Sequence, residues 1–219
     1  MIVSSLVIDA FRFIGDNGSL LLSETGQLAK LAFASLAISL AIALPVGLWL
    51  GHKHRGLFLA LGASTLGRAL PSIALIGLGI AVLGVGFWNV SVALVVLGVP
   101  PILTNAYLAV DGVDRDAVEA ARGIGLTETQ ILTRVELPLG LPLILAGIRI
   151  SAVFVVATAT IAAVAGLGGT LGDVIVNQAS YGEAGVFAAA LCVSAVALGT
   201  AGLLGLMQAA AFRRMTPRT

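Results

Sequence analysis

Charge is scarce in this chain, and its scarcity decides the class of protein. Only 11% of the residues are Asp, Glu, Lys or Arg, where a soluble globular domain carries about a quarter. Mean hydropathy is +1.07. A water-soluble domain is thereby excluded, and the chain reads as a polytopic membrane protein whose surroundings include the lipid bilayer. Net charge is +1, so no bulk attraction to nucleic acid is expected. Cysteine occurs once, at Cys192. It cannot form an internal disulfide, and no metal-ligand company surrounds it. Lysine occurs only at Lys30 and Lys53, and neither lies in a G-x-x-x-x-G-K-[ST] phosphate loop. No nucleotide-binding loop is legible, and no cofactor and no catalytic residue is expected here. The only histidines, His52 and His54, share one short segment with no Cys or acid nearby. They read as part of a basic loop rather than a metal pair. Their position also argues against an intramembrane serine protease, which needs a base beside its nucleophile.

Long apolar runs fill the rest. A span needs about 20 apolar residues. Five runs qualify: Leu31–Leu50, Gly56–Gly84, Trp88–Val110, Ile150–Gly172 and Ala184–Phe212. The charge-free stretch from Ala69 to Val110 is about twice the length of a span. It must turn once, at Gly84-Val85-Gly86-Phe87-Trp88. The fold class is all-α, with five transmembrane helices. Before them, Ile2, Val3, Leu6, Val7, Ala10, Phe11 and Ile14 recur at helical spacing, with Ser5, Asp9, Arg12 and Asp16 opposite. That pattern predicts a short helix in the membrane interface, not a signal peptide, since no basic residue precedes it. The resulting division is an N-terminal segment 1–27, a transmembrane domain 28–212 holding a polar loop 111–138, and a tail 213–219. Gly47 and Gly51 are spaced for close helix packing.

Basic residues orient the spans. Lys53, Arg55, Arg115, Arg122, Arg134, Arg213, Arg214 and Arg218 fall on one side, against Arg12 and Lys30 on the other. The N-terminus is expected outside, and the polar loop and C-terminus in the cytoplasm of a multi-pass cell-membrane protein. Arg68 lies within the second run, where a central arginine is costly. Pro71 frees the carbonyl four residues earlier, at Gly67. Arg68 and Pro71 read as a hinge beside a translocation path, or equally as a tie between spans. Asn105 and Tyr107, near the cytoplasmic end of the third run, are candidates for the path or for hydrogen bonds between helices. Trp49, Trp88 and Tyr181 fall near span ends and read as interfacial anchors rather than an aromatic cage for a quaternary ammonium.

The polar loop is the exception to the general scarcity. From Asp111 to Leu137 it carries nine of the chain's 23 charged side chains. Asp116-Ala-Val-Glu119 has the form of a capping box, and so does Thr127-Glu-Thr-Gln130. Gly125 stands where a left-handed helix end favours glycine. The loop therefore reads as helix, glycine turn, helix, with Pro138, Gly140 and Pro142 limiting the second helix. Ala120 and Ala121 leave a small-residue face that could lie close against a partner.

Glu119-Ala120-Ala121, Arg122-Gly123, Gly125, and Val135-Glu136-Leu137-Pro138 have the spacing EAA-x3-G-x9-I-x-LP, with Val135 for Ile. This resembles the loop of binding-protein-dependent ABC importer permeases, in which coupling helices dock into an ATP-binding subunit. Pro100 to Tyr107 is most similar to osmoprotectant permeases for glycine betaine, choline and carnitine. Gly166-Leu-Gly168-Gly169-Thr170-Leu-Gly172-Asp173 resembles the family stretch GAGGLGD, with Thr170 as an extra residue. The resemblance implies a MetI-like transmembrane fold and three partners. These are an ABC ATP-binding subunit, an extracytoplasmic substrate-binding protein, and a second permease subunit, either another copy or a sister chain. No fused binding domain is expected within these residues. Methionine or another small nutrient is the alternative substrate. A stand-alone transporter is disfavoured, because no internal repeat and no buried acid is legible.

Overall fold

The computed structural model describes the backbone of residues 2–58, 62, 65 and 71–215, and their side chains except at 2–4, 214 and 215. All regular structure among the described residues is helical. In chain order, α1 is Ile2–Asp16, α2 Gly18–His52, α3 Ser72–Leu83 and α4 Phe87–Asp111. The polar loop contributes α5, Arg115–Gly123, and α6, Glu128–Ile131. A π-helical turn, Leu132–Glu136, leads into α7, Leu137–Ala159, which tightens into a 3-10 turn, Thr160–Ala165. After it come α8, Leu171–Val176, and α9, Gln178–Met215. Gly182 breaks α9 with φ 68° and ψ 177°.

Among the described residues, four helical stretches are long and apolar enough to cross a membrane: Gly18–His52, Phe87–Asp111, Glu128–Ala165 and Gln178–Arg213. The shorter α3 stands in the second expected run; Arg68, within that run, lies outside the described residues. The turn between α3 and α4 falls at Gly84-Val85-Gly86, as the doubled length of that charge-free stretch requires. Two boundaries differ from the sequence reading. α2 begins at Gly18 and passes through residue 27 without a break, carrying Glu24 and Lys30. The helical stretch that carries the fourth expected run begins in the polar loop, at Glu128, and ends at Ala165, short of Gly172. Pro138, Gly140 and Pro142 do not stop it. A helix-interior proline lacks an N–H and crowds the carbonyl four residues back. The π turn immediately before Pro138, closed by Leu137 N–H to the Leu132 carbonyl, changes the hydrogen-bond register where that conflict would arise.

The chain divides into two compact units. The first comprises residues 1–36, 70–95 and 152–200. Its core includes Ala10, Leu28, Leu31, Leu94, Val155, Ala159, Leu171 and Ala188, all at or below 1% exposure. Ala10 seats α1 on this core, and Phe13 meets Tyr181 edge-on, ring centroids 6.5 Å apart. Ile8 and Phe11 of α1 stay exposed. Thr170 is buried and precedes α8 in extended conformation, φ −120° and ψ 158°. Gly172 of α8 abuts the Thr160 carbonyl, which keeps α8 against the 3-10 segment.

The second unit comprises residues 37–69, 96–151 and 201–219. Here α4 is approached by two helices at glycines. A Cβ on Gly47 of α2 would lie 2.7 Å from the Ala106 Cβ, and one on Gly140 of α7 would lie 2.6 Å from the Ala109 carbonyl oxygen. Without a hydrophobic effect between helices in lipid, such close backbone approach supplies packing energy. Buried Ser151 of α7 donates to the Gly98 carbonyl of α4 at 2.8 Å.

Candidate functional site

The polar loop folds as helix, glycine turn, helix, and its local signals explain most of it. Asp114 caps α5, its carboxylate accepting from the Asp116 N–H at 2.9 Å. The expected cap was Asp116. The earlier acid wins because Asp114 holds the non-helical backbone that a cap needs, while Asp116 is already in the first turn. At the other end, Leu126 N–H bonds the Ala121 carbonyl at 3.2 Å and Gly125 N–H bonds the Arg122 carbonyl at 3.0 Å. With Gly125 at φ 87°, this nested pair is a Schellman ending. The second capping box forms as read. Thr127 N–H donates to Gln130 Oε1 at 2.9 Å, and Gln130 N–H donates to Thr127 Oγ1 at 3.4 Å.

The two faces of α5 differ from the expectation of a paired small-residue surface. Ala121 is buried at 6% exposure, whereas Glu119, Ala120, Arg122 and Gly123 face outward. Only Ala120 of the alanine pair is available to a partner. Just beyond, Ile124 is 81% exposed. Arg122 reaches across the turn to Glu128 at 3.0 Å. Both are about half exposed, so the pair holds geometry more than it stabilises. Val135 and Leu137 are half-buried on either side of buried Glu136, and Pro138 is exposed.

The histidines overturn the basic-loop reading. His52, the last residue of α2, has Nδ1 2.7 Å from Glu136 Oε2 and Nε2 3.2 Å from Glu128 Oε2. The side chains of His52 and Glu136 are 8% and 2% exposed. His54, held at φ 48°, has Nδ1 2.7 Å from Asp111 Oδ1. The acids absent from the neighbouring sequence are supplied by the polar loop and the end of α4. The overlooked signal was the topology itself. The basic-residue rule had put the histidine segment and the loop's acids on one side of the membrane. No cluster of metal-ligating side chains occurs among the described residues. A half-open cavity of about 310 Å3 opens here, lined by His52, His54, Val110, Val113, Arg115, Val118, Glu119, Arg122 and Glu136.

The other candidates do not gather here. Tyr107 is buried at 2% exposure, and its hydroxyl engages Asp111 one turn on in α4. Asn105 Nδ2 donates to the Pro101 carbonyl at 2.8 Å within α4, beside Gly147 of α7. Both bonds lie within α4. Pro71 precedes α3 in extended conformation, φ −68° and ψ 120°. Trp49 and Trp88 are 61% and 69% exposed.

Residues 43–214 match the family model described as the binding-protein-dependent transport system inner membrane component. The chain belongs to that family, and it is the permease subunit of an ABC importer, a membrane component and not an enzyme. It works with an ATPase and a substrate-binding protein. It is 34% identical over 207 residues to the carnitine transport permease protein OpuCB of Listeria monocytogenes, covering 94% of this chain and 93% of that one. It is 36% identical over 163 residues to the glycine betaine/carnitine/choline transport system permease protein OpuCB of Bacillus subtilis, covering 74% and 75%. Among solved structures, the inward-facing MetNI methionine ABC transporter superposes with TM-score 0.74 over 90% of this chain and 98% of that one, at 21% identity. At that identity the superposition speaks to the MetI-like fold alone.

Proposed function

We propose that this permease passes a small quaternary ammonium or related zwitterion: glycine betaine, choline or carnitine. The observation that carries the reading is the sequence likeness. Identity is 34–36% to permeases named for carnitine, choline and glycine betaine, and 21% to the methionine transporter. Methionine or another small nutrient is the second reading, since the fold shared with MetNI does not discriminate between substrates. The solute arrives on an extracytoplasmic binding protein, and the path itself makes only weak contacts. The N-terminus faces outward, and the polar loop with the C-terminus faces the cytoplasm, where α5 and α6 dock the ATP-binding subunit through Glu119, Ala120 and exposed Ile124. A second permease subunit, another copy or a sister chain, completes the pore.

The test is ATP hydrolysis by the reconstituted complex with its native binding protein. Glycine betaine, choline or carnitine should stimulate it. Stimulation by methionine, with none by these three, overturns the substrate and leaves the permease assignment intact.

A further inference from the structure

We propose that His52 is the joint through which displacement of the ATPase-docking loop reaches the end of α2, so that it positions the coupling machinery without touching ATP or solute. The inference rests on the reading of α5 and α6 as the docking site. Three geometric facts carry it. His52 is the terminal residue of a 35-residue helix and is nearly buried. Its two ring nitrogens contact two carboxylates placed differently in the loop: Glu136 in the π turn at 2.7 Å and Glu128 in α6 at 3.2 Å. Glu128 in turn holds Arg122, next to Ala120 and Ala121, at 3.0 Å. Two contacts thus tie the last turn of α2 to the loop: a half-exposed one through Glu128, which also holds Arg122, and a buried one through Glu136, which is the one that transmits.

A buried polar link of this kind resists separation, because parting it leaves Glu136 enclosed without its partner. The link is therefore stiff where a solvated loop would be slack. A push on α5 from outside is passed to α2 rather than dissipated. Coupling between sites can be carried by such a bonded element, whose arrangement both ends bias. His54 makes the comparison within the same segment. Its side chain is 50% exposed and its pair with Asp111 does not involve the loop helices, so water can replace it.

The experiment uses the whole complex in liposomes and measures solute taken up per ATP hydrolysed, with co-purification of the ATPase alongside. An Asn side chain places its amide nitrogen near the position of Nδ1, and a Gln side chain near that of Nε2. His52→Ala and His52→Gln should retain the ATPase and lower uptake per ATP about tenfold, within the range typical of coupling between sites. His52→Asn, which keeps the contact to buried Glu136, should restore most of the ratio, and His54→Ala should leave it unchanged. An ordinary ratio in His52→Gln overturns the proposal, and so does an equal loss in His54→Ala or in His52→Asn. His52→Gln, the less disruptive change, decides if the alanine variant does not accumulate. Loss of the ATPase from an intact His52→Gln permease also overturns it, since the residue would then maintain the docking surface rather than transmit from it. Failure of the docking reading itself is distinguishable: the wild-type loop would then bind no ATPase.

Discussion

Gly51 lies against Tyr107 so closely that a Cβ added to it would stand 2.6 Å from the Tyr107 carbonyl oxygen and 3.0 Å from the Val110 Cβ. Backbone atoms cannot yield as a flexible side chain can, so the crossing of α2 on α4 depends on this position being glycine. Gly51→Val should destabilise the permease by about 1–3 kcal/mol, the usual cost of overpacking. Thermal unfolding in detergent checks this. Gly199→Ala, where no atom lies within 4 Å, should unfold at or above the wild-type temperature.

Gly125 closes α5 in a left-handed conformation. Gly125→Val should cost at least about 1–2 kcal/mol locally, because a β-branched residue is strained there. Recovery of the ATPase with tagged permease should weaken, while membrane insertion persists. Unchanged co-purification and uptake in both Gly125→Val and Glu119→Lys would remove the loop from its docking role.

The caps make a sharper local test. Thr127→Ala and Asp114→Ala each remove a side chain that accepts a helix N–H. Each should loosen its helix by about 1 kcal/mol. Asp116→Ala removes no cap and should matter less. Amide hydrogen exchange over residues 115–131 ranks the three variants; equal protection in Asp114→Ala and wild type would contradict the cap assignment.

Orientation can be read by labelling. In a Cys192→Ser background, Asn17→Cys should react with an impermeant maleimide in intact cells and Arg218→Cys should not. Labelling of both positions, or of 218 alone, defeats the expected topology.

Much of the fold was legible because lipid simplifies the problem. A backbone without water must bond to itself, so each long uncharged run had to be helical. Gly84-Val85-Gly86 had to turn, because the charge-free stretch around it exceeds one bilayer thickness. The second capping box and the Gly125 ending were equally open to reading. Their bonds join residues at most five apart, and each residue type carries its own instruction.

What the sequence by itself determined was therefore local: helices, a glycine turn, a capped second helix, and a charged loop spaced like those of importer permeases. Tertiary structure decided the rest. Nothing near Pro138 announces that a π turn will carry the helix past it. Nothing near His52 names Glu136, which stands 84 residues away. Ala120 and Ala121 have the same side chain, yet one is buried and one faces out. The physical reason is common to these cases. The energy that fixes each residue comes from burying it against a distant segment, and a buried acid must find its polar partner wherever the packing has placed one.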